Sequence, residues 1–296
     1  MSLLSPQVLA FIAVIEETSF EAAAKRLSVT PSAISQRIKT LEDRIGQLLV
    51  VRQSPCTPTP AGEKLLNKVK PMALLENEVL ADFNPKSHNA KRFSLAVNED
   101  SLATWLIPAL TGLHQQHEHL FDLCVDDQDY TLDYLKKGTA IGALTSEKTP
   151  LQGCRAHLLG SMHYCAIASP TFVQRYFAQG LTSEAFQHAP MIAYNRKDPL
   201  QTRFIEKLTG ESIAPQHTHF MPNSVGLVTA AVQHMGWCMV AEGLLGNVLK
   251  TGQVVQLAPD VWLDEPLYWQ HAAIQSKQLE HITQAFIQAA QSELHC

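Results

Sequence analysis

Several chemistries are missing from this chain. It carries no G-x-S-x-G elbow, no phosphate-binding G-x-x-x-x-G-K-[ST] loop and no G-x-G-x-x-G, so the common hydrolase, nucleotide and dinucleotide frameworks are excluded and no enzyme is expected. Its six cysteines, at 56, 124, 154, 165, 238 and 296, include no C-x-x-C pair. Free thiols in a reducing compartment are the simplest reading, and a redox switch is the less favoured one. No apolar run reaches transmembrane length and no basic leader precedes an apolar core, so a cytoplasmic protein without a membrane partner is expected. At 296 residues the chain is too long for one small domain and suggests two or three.

Charge is uneven along the chain. Up to Arg92 there are twelve Lys or Arg against nine Asp or Glu, a balance of +3; the remainder has eleven against nineteen, a balance of −8. A polyanion is attracted to the first part and repelled by the second, which therefore has other work to do.

The basic part contains two short helical patterns joined by a tight turn, Thr18 to Glu42. Ser19 suits an N-cap, and Ala22, Ala23 and Ala24 permit close approach; Leu27 closes the apolar face before Ser28-Val29. Thr30 and Pro31 then start a second helix, with Ile34, Ile38, Leu41 and Ile45 as its buried stripe. The other face offers Ser32, Ser35, Gln36 and Lys39, with Arg37 on its flank: hydrogen-bonding groups for base edges and cations for phosphates. A helical hairpin with a merely solvated polar face is the competing reading. Against it, Val8, Leu9, Phe11, Ile12 and Ile15 supply a third helix upstream, and Leu48 to Val51, Arg52 and a turn leading to Thr59-Pro60-Ala61-Gly62 read as a wing downstream.

The order F-x-x-V-x-E-x-x-S-F-x-x-A-A-x-x-L, then S-A-I-S-x-x-I-x-x-L-E, then G, R and T-x-x-G resembles the LysR-type transcriptional regulators. From Pro60, capped by Thr59, a long helical pattern repeats apolar residues at Leu66, Val69, Ala73, Leu80 and Phe83, a spacing suited to pairing with its twin. A homodimer would place two reading helices one turn of duplex apart. Pro71 is expected to kink this helix. Residues 84–91 are polar, lack periodicity and read as a hinge.

Beyond the hinge strands and helices alternate: Phe93 to Val97, a proline-interrupted helix from Leu102 to Leu113, Phe121 to Val125, Tyr130 to Lys137, Ile141 to Leu144, and a second such series from Ser169 to Ala241 before a C-terminal helix from Ser276. The expected fold is α/β with an α-rich N-terminal domain: a winged helix-turn-helix (1–59), a dimerising linker helix (60–83), a hinge (84–91) and a bilobal, periplasmic-binding-protein-like α/β effector domain (92–296; lobe I about 92–163 plus 268–296, lobe II about 164–267). Ligands of such units sit beyond strand C-termini against helix N-termini. That position holds Asp100 and Ser101 after the first strand, Asn223 and Ser224 in the second lobe, and Tyr194, Asn195 and Asp198 after another strand. The alternative for Asp100 and Ser101 is simple helix capping.

The run FSLAVNEDSLATWLIPAL and the late LYW are similar to the branch of LysR-type regulators that controls arginine export, also described as the inhibitor of chromosome initiation. That resemblance implies lysine or arginine as a small-molecule effector, no cofactor, and an extra carboxylate for the second cation, with Asp100, Asp126 and Asp127 as candidates. It also implies double-stranded operator DNA as partner and a tetramer built as a dimer of dimers, with RNA polymerase open as a further partner. The chain departs from the branch at Asn195-Arg196, Thr57 and Ala241. Two other classes stay open: a replication-control or architectural DNA-binding protein without an effector, and a metal-responsive regulator using His114, His117 and His119 or His217 and His219.

Overall fold

A computed structural model of the protein describes residues 2–83 and 91–295. The hinge expected at 84–91 lies, except for its last residue, outside the described residues.

The N-terminal region is built from α1 (Pro6–Glu17), α2 (Phe20–Arg26) and α3 (Pro31–Ile45), followed by a two-stranded wing of β1 (Val50–Val51) and β2 (Thr57–Pro58) and by the long α4 (Pro60–Phe83). Each of the first three helices starts on a hydroxyl cap: Ser5 accepts from the Val8 N–H, Ser19 from Ala22 and Thr30 from Ala33. Gly46, with φ 79°, ends α3 in the left-handed region. Phe11, Ala23, Ile34, Ile38, Leu49 and Leu66 pack into one core. Ile45 is the exception to the expected stripe: as the last residue of α3 it is 40% exposed.

The T-x-x-G signature now has a physical reason. Thr59 Oγ1 accepts from the Gly62 N–H at 3.1 Å, capping α4. A Cβ on Gly62 would lie 2.1 Å from the carbonyl oxygen of Leu49, so only glycine lets α4 start this close to the wing. Helix α4 continues through Pro71. Where Pro71 lacks the N–H that would bond to Asn67, the Asn67 amide side chain and Lys70 Nζ instead donate to the carbonyls of Lys136 and Thr139.

The remaining elements are β3 (Arg92–Val97), α5 (Glu99–Ser101), a π-helical turn (Leu102–Leu106), α6 (Ile107–His117), β4 (Leu120–Val125), α7 (Leu132–Lys136), β5 (Gly142–Thr145), β6 (Cys154–Ala168), α8 (Pro170–Tyr176), α9 (Ser183–His188), β7 (Met191–Ala193), α10 (Leu200–Thr209), β8 (Thr218–Phe220), α11 (Ser224–Val232), β9 (Trp237–Ala241), a 3-10 turn (Glu242–Leu244), α12 (Gly246–Lys250), β10 (Val255–Gln256), β11 (Leu263–Ala272) and α13 (Lys277–Glu293). The proline-interrupted helix is real but continuous: Pro108 follows the wide turn, which absorbs its missing donor without ending the helix.

The chain forms two compact units. The first comprises residues 1–97, 113–157 and 269–284. In it β3 pairs in parallel with both β4 and β5, and the strand path continues to β11. Trp269 packs where a Cβ on Gly142 would strike its ring, and its indole donates to Thr283. The second unit comprises 98–112, 158–268 and 285–296. There β6 is antiparallel to β9, β7 is parallel to β8 and β9, and β10 lies on the free side of β6. Its core gathers Phe172, Phe177, Phe186, Phe204 and Trp237 into one aromatic cluster. Strands β6 and β11 and helices α6 and α13 have residues in both units.

Candidate DNA-reading and effector sites

The reading helix is α3. Its inner face is buried at Ile34, Ile38 and Leu41; Ser32, Gln36 and Lys39 are exposed, and Ser35 and Arg37 are half-buried along the same outer side. Ser32 Oγ is 2.9 Å from the capping Thr30 hydroxyl, so part of its hydrogen-bonding capacity is used within the first turn. Ser35 also lines a concavity with Ser19, Pro31, Arg52 and Gln53, placing helix and wing on one surface.

Arg52 has a second job. Its Nη2 donates to Glu42 Oε2 at 3.2 Å, and its guanidinium lies over the Phe20 ring at 5.5 Å. Glu42 is buried, 6% exposed, and its other oxygen accepts from the backbone N–H of Leu49 at 2.9 Å and of Val50 at 3.4 Å. This carboxylate fastens α3 to the wing, and sequence reasoning gave it no role; the conspicuous E of the L-E motif was its only signal. Among the other basic groups here, Arg26 is held by Glu16 and Glu17, while Lys25 of α2 and Lys39 of α3 are exposed.

In the second unit the sequence-selected residues converge on one carboxylate. Asp100 Oδ2 accepts from the Tyr164 hydroxyl at 2.7 Å, and Ser224 also hydrogen-bonds to this side chain. Burial pushes the Asp100 carboxyl above the usual range; the Ser224 and Tyr164 bonds pull it back, and the nearby Asp198 and Glu99 carboxylates push it up again. The Tyr164 phenol is driven well up by burial and by the Asp100 charge. The donors around Asp100 are thus neutral hydroxyls, and its charged neighbours are anions.

The capping alternative is resolved residue by residue. The N-cap of α5 is Asn98, whose side chain makes no capping bond; its Nδ2 lies 3.6 Å from Met162 Sδ and its buried Oδ1 has no partner. Ser101 is fully buried with its hydroxyl against the same sulfur at 3.8 Å, a wall position and not a free donor. Asn223 does cap: its Oδ1 accepts from Gly226 N–H, while its Nδ2 donates to Glu99 Oε1 at 2.9 Å. Asn195 closes a turn on the Lys197 N–H, and Asp198 holds the same loop through the N–H groups of Tyr194 and Leu200 and the Gln201 amide. Asp126 and Asp127 belong to the first unit. There Asp126 accepts from Tyr134 OH and from the Asp127 N–H, and Asp127 from the Asp129 N–H. Tyr164, Glu99 and Gln201 were not selected in advance: Tyr164 sits 64 residues beyond Asp100 on a strand with no local motif.

In the second unit the indole N–H groups of Trp105 and Trp237 are buried without an acceptor, and three buried acceptors lack a donor: Asn98 Oδ1, Glu99 Oε2 and Gln201 Oε1. Each costs free energy unless something donates to it. An acceptor-rich, anionic surround of that kind matches a ligand made of N–H donors and positive charge.

Residues 6–63 match the bacterial regulatory helix-turn-helix proteins of the lysR family, and residues 86–294 match the LysR substrate binding domain. The chain belongs to the LysR family of transcriptional regulators. This LysR-family protein is 44% identical over 291 residues to the HTH-type transcriptional regulator LysG of Mycobacterium tuberculosis, covering 98% of this chain and 94% of that one. It is 37% identical over 288 residues to the HTH-type transcriptional regulator ArgP of Photobacterium profundum, covering 97% of each. Among solved structures, ArgP from Mycobacterium tuberculosis superposes with a TM-score of 0.85 at 43% identity over 99% of both chains. Full-length LysG from Corynebacterium glutamicum, solved with arginine bound as effector, superposes with a TM-score of 0.75 at 31% identity, covering 99% of this chain and 100% of that one. The expected family and fold are therefore established: a DNA-binding regulator with a helix-turn-helix and an α/β substrate-binding domain, and not an enzyme. Among the described residues no helix is long and apolar enough to cross a membrane.

The remaining expectations concern histidine and cysteine. His117 stacks on His281 at 4.0 Å, and His119 is buried with neither ring nitrogen bonded; burial, with the His117 and His281 charges, pushes it down to about 4. His114 Nδ1 is occupied by the carbonyl of His119 at 3.0 Å. Among the described residues this run does not supply three ligand atoms close enough to share an ion. Cys165 and Cys238 are buried, with burial pushing the Cys165 thiol to about 11 and the Cys238 thiol higher still, which makes both poor nucleophiles.

Proposed function

We propose that this regulator senses a cationic amino acid, lysine or arginine, with the ligand cation held at Asp100. The observation that carries this reading is a half-buried carboxylate bonded to neutral hydroxyls, with Glu99 and Asp198 as its charged neighbours. Tyr164, Ser224, Glu99 and Asn223 form its immediate surround, and Ser101, Tyr194 and Asn195 shape the walls; Asp126 and Asp127, bonded locally to Tyr134, Asp127 and Asp129 in the first unit, are left out of this site. The arginine bound to the Corynebacterium LysG structure supports the same ligand class.

On the DNA side, Ser32, Ser35, Gln36, Arg37 and Lys39 contact the operator, with Arg52 at the wing. The division of labour is 1–59 for reading, 60–83 for dimerisation, 84–91 as hinge and 92–296 for sensing, with lobe I at about 92–163 plus 268–296 and lobe II at about 164–267. Of the expected seam, Leu66, Val69 and Ala73 pack into the reading domain's own core, whereas Phe83, with Met72 and Val79, leaves apolar surface exposed along α4, 84%, 51% and 44% respectively, which supports a homodimer through this helix; the tetramer rests on the family resemblance. RNA polymerase stays open as a further partner. Signalling is linkage: a ligand that binds one arrangement more tightly shifts the population toward it, by no more than its differential affinity.

Calorimetric titration of the full-length chain with the twenty amino acids tests the proposal. Saturable binding of lysine or arginine, with neutral analogues at least an order of magnitude weaker, is expected. Equal affinity for norleucine and lysine would remove the cation from the argument.

A further inference from the structure

Four side chains that ligate metals, none of them assigned to DNA or effector, meet on one patch of the second unit. His163 lies on β6; Glu242 follows β9; Asp264 is on β11; His295 follows α13. Pairing of Tyr164 with Ala241 in the antiparallel β6–β9 ladder puts His163 and Glu242 at the next opposed position. The chain end is brought in by a bridge between Ser161 and His295, whose backbone groups exchange hydrogen bonds of 2.7 and 3.0 Å. Gly160 permits that approach: with φ 135° it has no Cβ, and one would stand 2.8 Å from the carbonyl oxygen of His295.

The result is a compact donor set. One ligand atom from each of His163, Glu242 and His295 lies within 4.8 Å of the other two. His295 Nε2 is 2.8 Å from Glu242 Oε2, and His163 Nε2 is 3.1 Å from Asp264 Oδ1. The two imidazoles stack with centroids 3.5 Å apart and planes 16° apart.

We infer that His163, Glu242 and His295 bind a divalent transition-metal ion of the zinc, nickel or cobalt class, which clamps the C-terminal segment onto strand β6. Two imidazole nitrogens and a carboxylate suit such borderline ions and are a poor set for magnesium or calcium, which take oxygen. Asp264, on His163, holds the position in which a carboxylate fixes the tautomer of a ligating histidine. The four side chains are 26% to 58% exposed, so an ion reaches them from solvent and one coordination position stays with water. Because a metal lies in the plane of each ligating ring, binding requires the two stacked imidazoles to turn so that both lone pairs converge on the ion, at the roughly 2.0–2.2 Å bonds zinc makes. This clamp is separate from amino-acid sensing and does not depend on that reading.

The test uses untagged, full-length, chelator-treated protein and zinc chloride as the probe, with cobalt chloride as the spectroscopic counterpart. One zinc per chain is expected, with a rise in melting temperature that grows with free zinc and an absorption band in the visible for cobalt. His163→Ala and His295→Ala should each weaken binding by about 100-fold or more, and Glu242→Gln by about 10-fold, within the range that perturbing a metal's ligand environment produces. His117→Ala and His157→Ala, in the chain's other histidine clusters, should leave it unchanged. Absence of zinc binding overturns the proposal, as does binding that survives both His163→Ala and His295→Ala. If an alanine variant fails to fold, Glu242→Gln, which keeps side-chain shape and hydrogen bonding, decides: unchanged affinity there overturns the site.

Discussion

Two carboxylates, Glu42 buried and Asp100 half-buried, are served in opposite ways. Glu42 in the reading domain has two backbone N–H groups on one oxygen and the Arg52 guanidinium on the other. Asp100 in the second unit has a phenol and a serine hydroxyl, with Glu99 and Asp198 as charged neighbours. A carboxylate supplied with its own cation is a fastening. One supplied with neutral donors and further anions is, on the proposed reading, held for a cation that comes from outside, because an uncompensated charge away from water is costly until a partner arrives. The comparison separates a part built to stay as it is from a part built to respond.

The largest expected effect breaks that comparison at its ligand end. Asp100→Asn should reduce lysine or arginine affinity by roughly 3–5 kcal/mol, the cost of removing one member of a buried ion pair, while the unliganded protein melts at a higher temperature than wild type. Calorimetry and thermal unfolding read both halves; a lower melting temperature would class Asp100 with Glu42 as a fixed structural group. Next, Glu42→Ala should cost about 3 kcal/mol of stability, since it strands two backbone donors and a guanidinium. Urea unfolding measures this, and a change near zero would show that the wing is held by its apolar contacts alone.

Gln36→Ala should lower specific operator binding by about 1–3 kcal/mol if the amide reads a base bidentately, with little change on random duplex. Equal losses on both duplexes, measured at one salt concentration, assign Gln36 to the backbone instead. The smallest effect is on pH dependence. Because the folded-state value of Asp100 is raised, the unliganded folded state holds a proton that the unfolded chain has released, so stability falls as pH rises from the ordinary aspartate range through the elevated value. The slope is at most about 1.4 kcal/mol per pH unit for one proton. Saturating lysine should flatten it, and affinity for lysine should fall as pH drops through the same window; a slope unaffected by ligand would move the titration to another group.

How far the sequence could be read follows the same division. The reading domain was legible because its signals are local: Ser19 and Thr30 cap helices that begin beside them, and Thr59 and Gly62 act within one turn. The family resemblance extended that reading to the α/β architecture. The surround of Asp100 was only half legible. Its helix-start residues advertised themselves, whereas Tyr164 comes from the middle of a 15-residue strand whose burial changes from half-exposed to buried along its length, leaving no clean alternation to find. Glu42 was visible as a letter of a motif but not as a fastening, since its partners at 49, 50 and 52 are identified by wing geometry. Ile45 was assigned to the core by periodicity and lies at a helix end where the core has run out.

The linker helix has a consequence of a different order. Asn67 and Lys70 grip the turn after α7 through the carbonyls of Lys136 and Thr139, Lys70 also reaches Glu16 of α1 at 3.3 Å, and Gly138 fits only because a Cβ there would meet the Asn67 backbone nitrogen at 2.6 Å. In this turn the linker supplies both side chains and the sensor two main-chain oxygens and a missing methyl group, so substitution at 136 or 139 leaves the contact standing. Elsewhere the sensor does contribute a side chain, since the Ser276 hydroxyl donates to Glu78 of α4 at 2.7 Å. A sensor domain grafted from a relative therefore has to bring both that hydroxyl and the glycine.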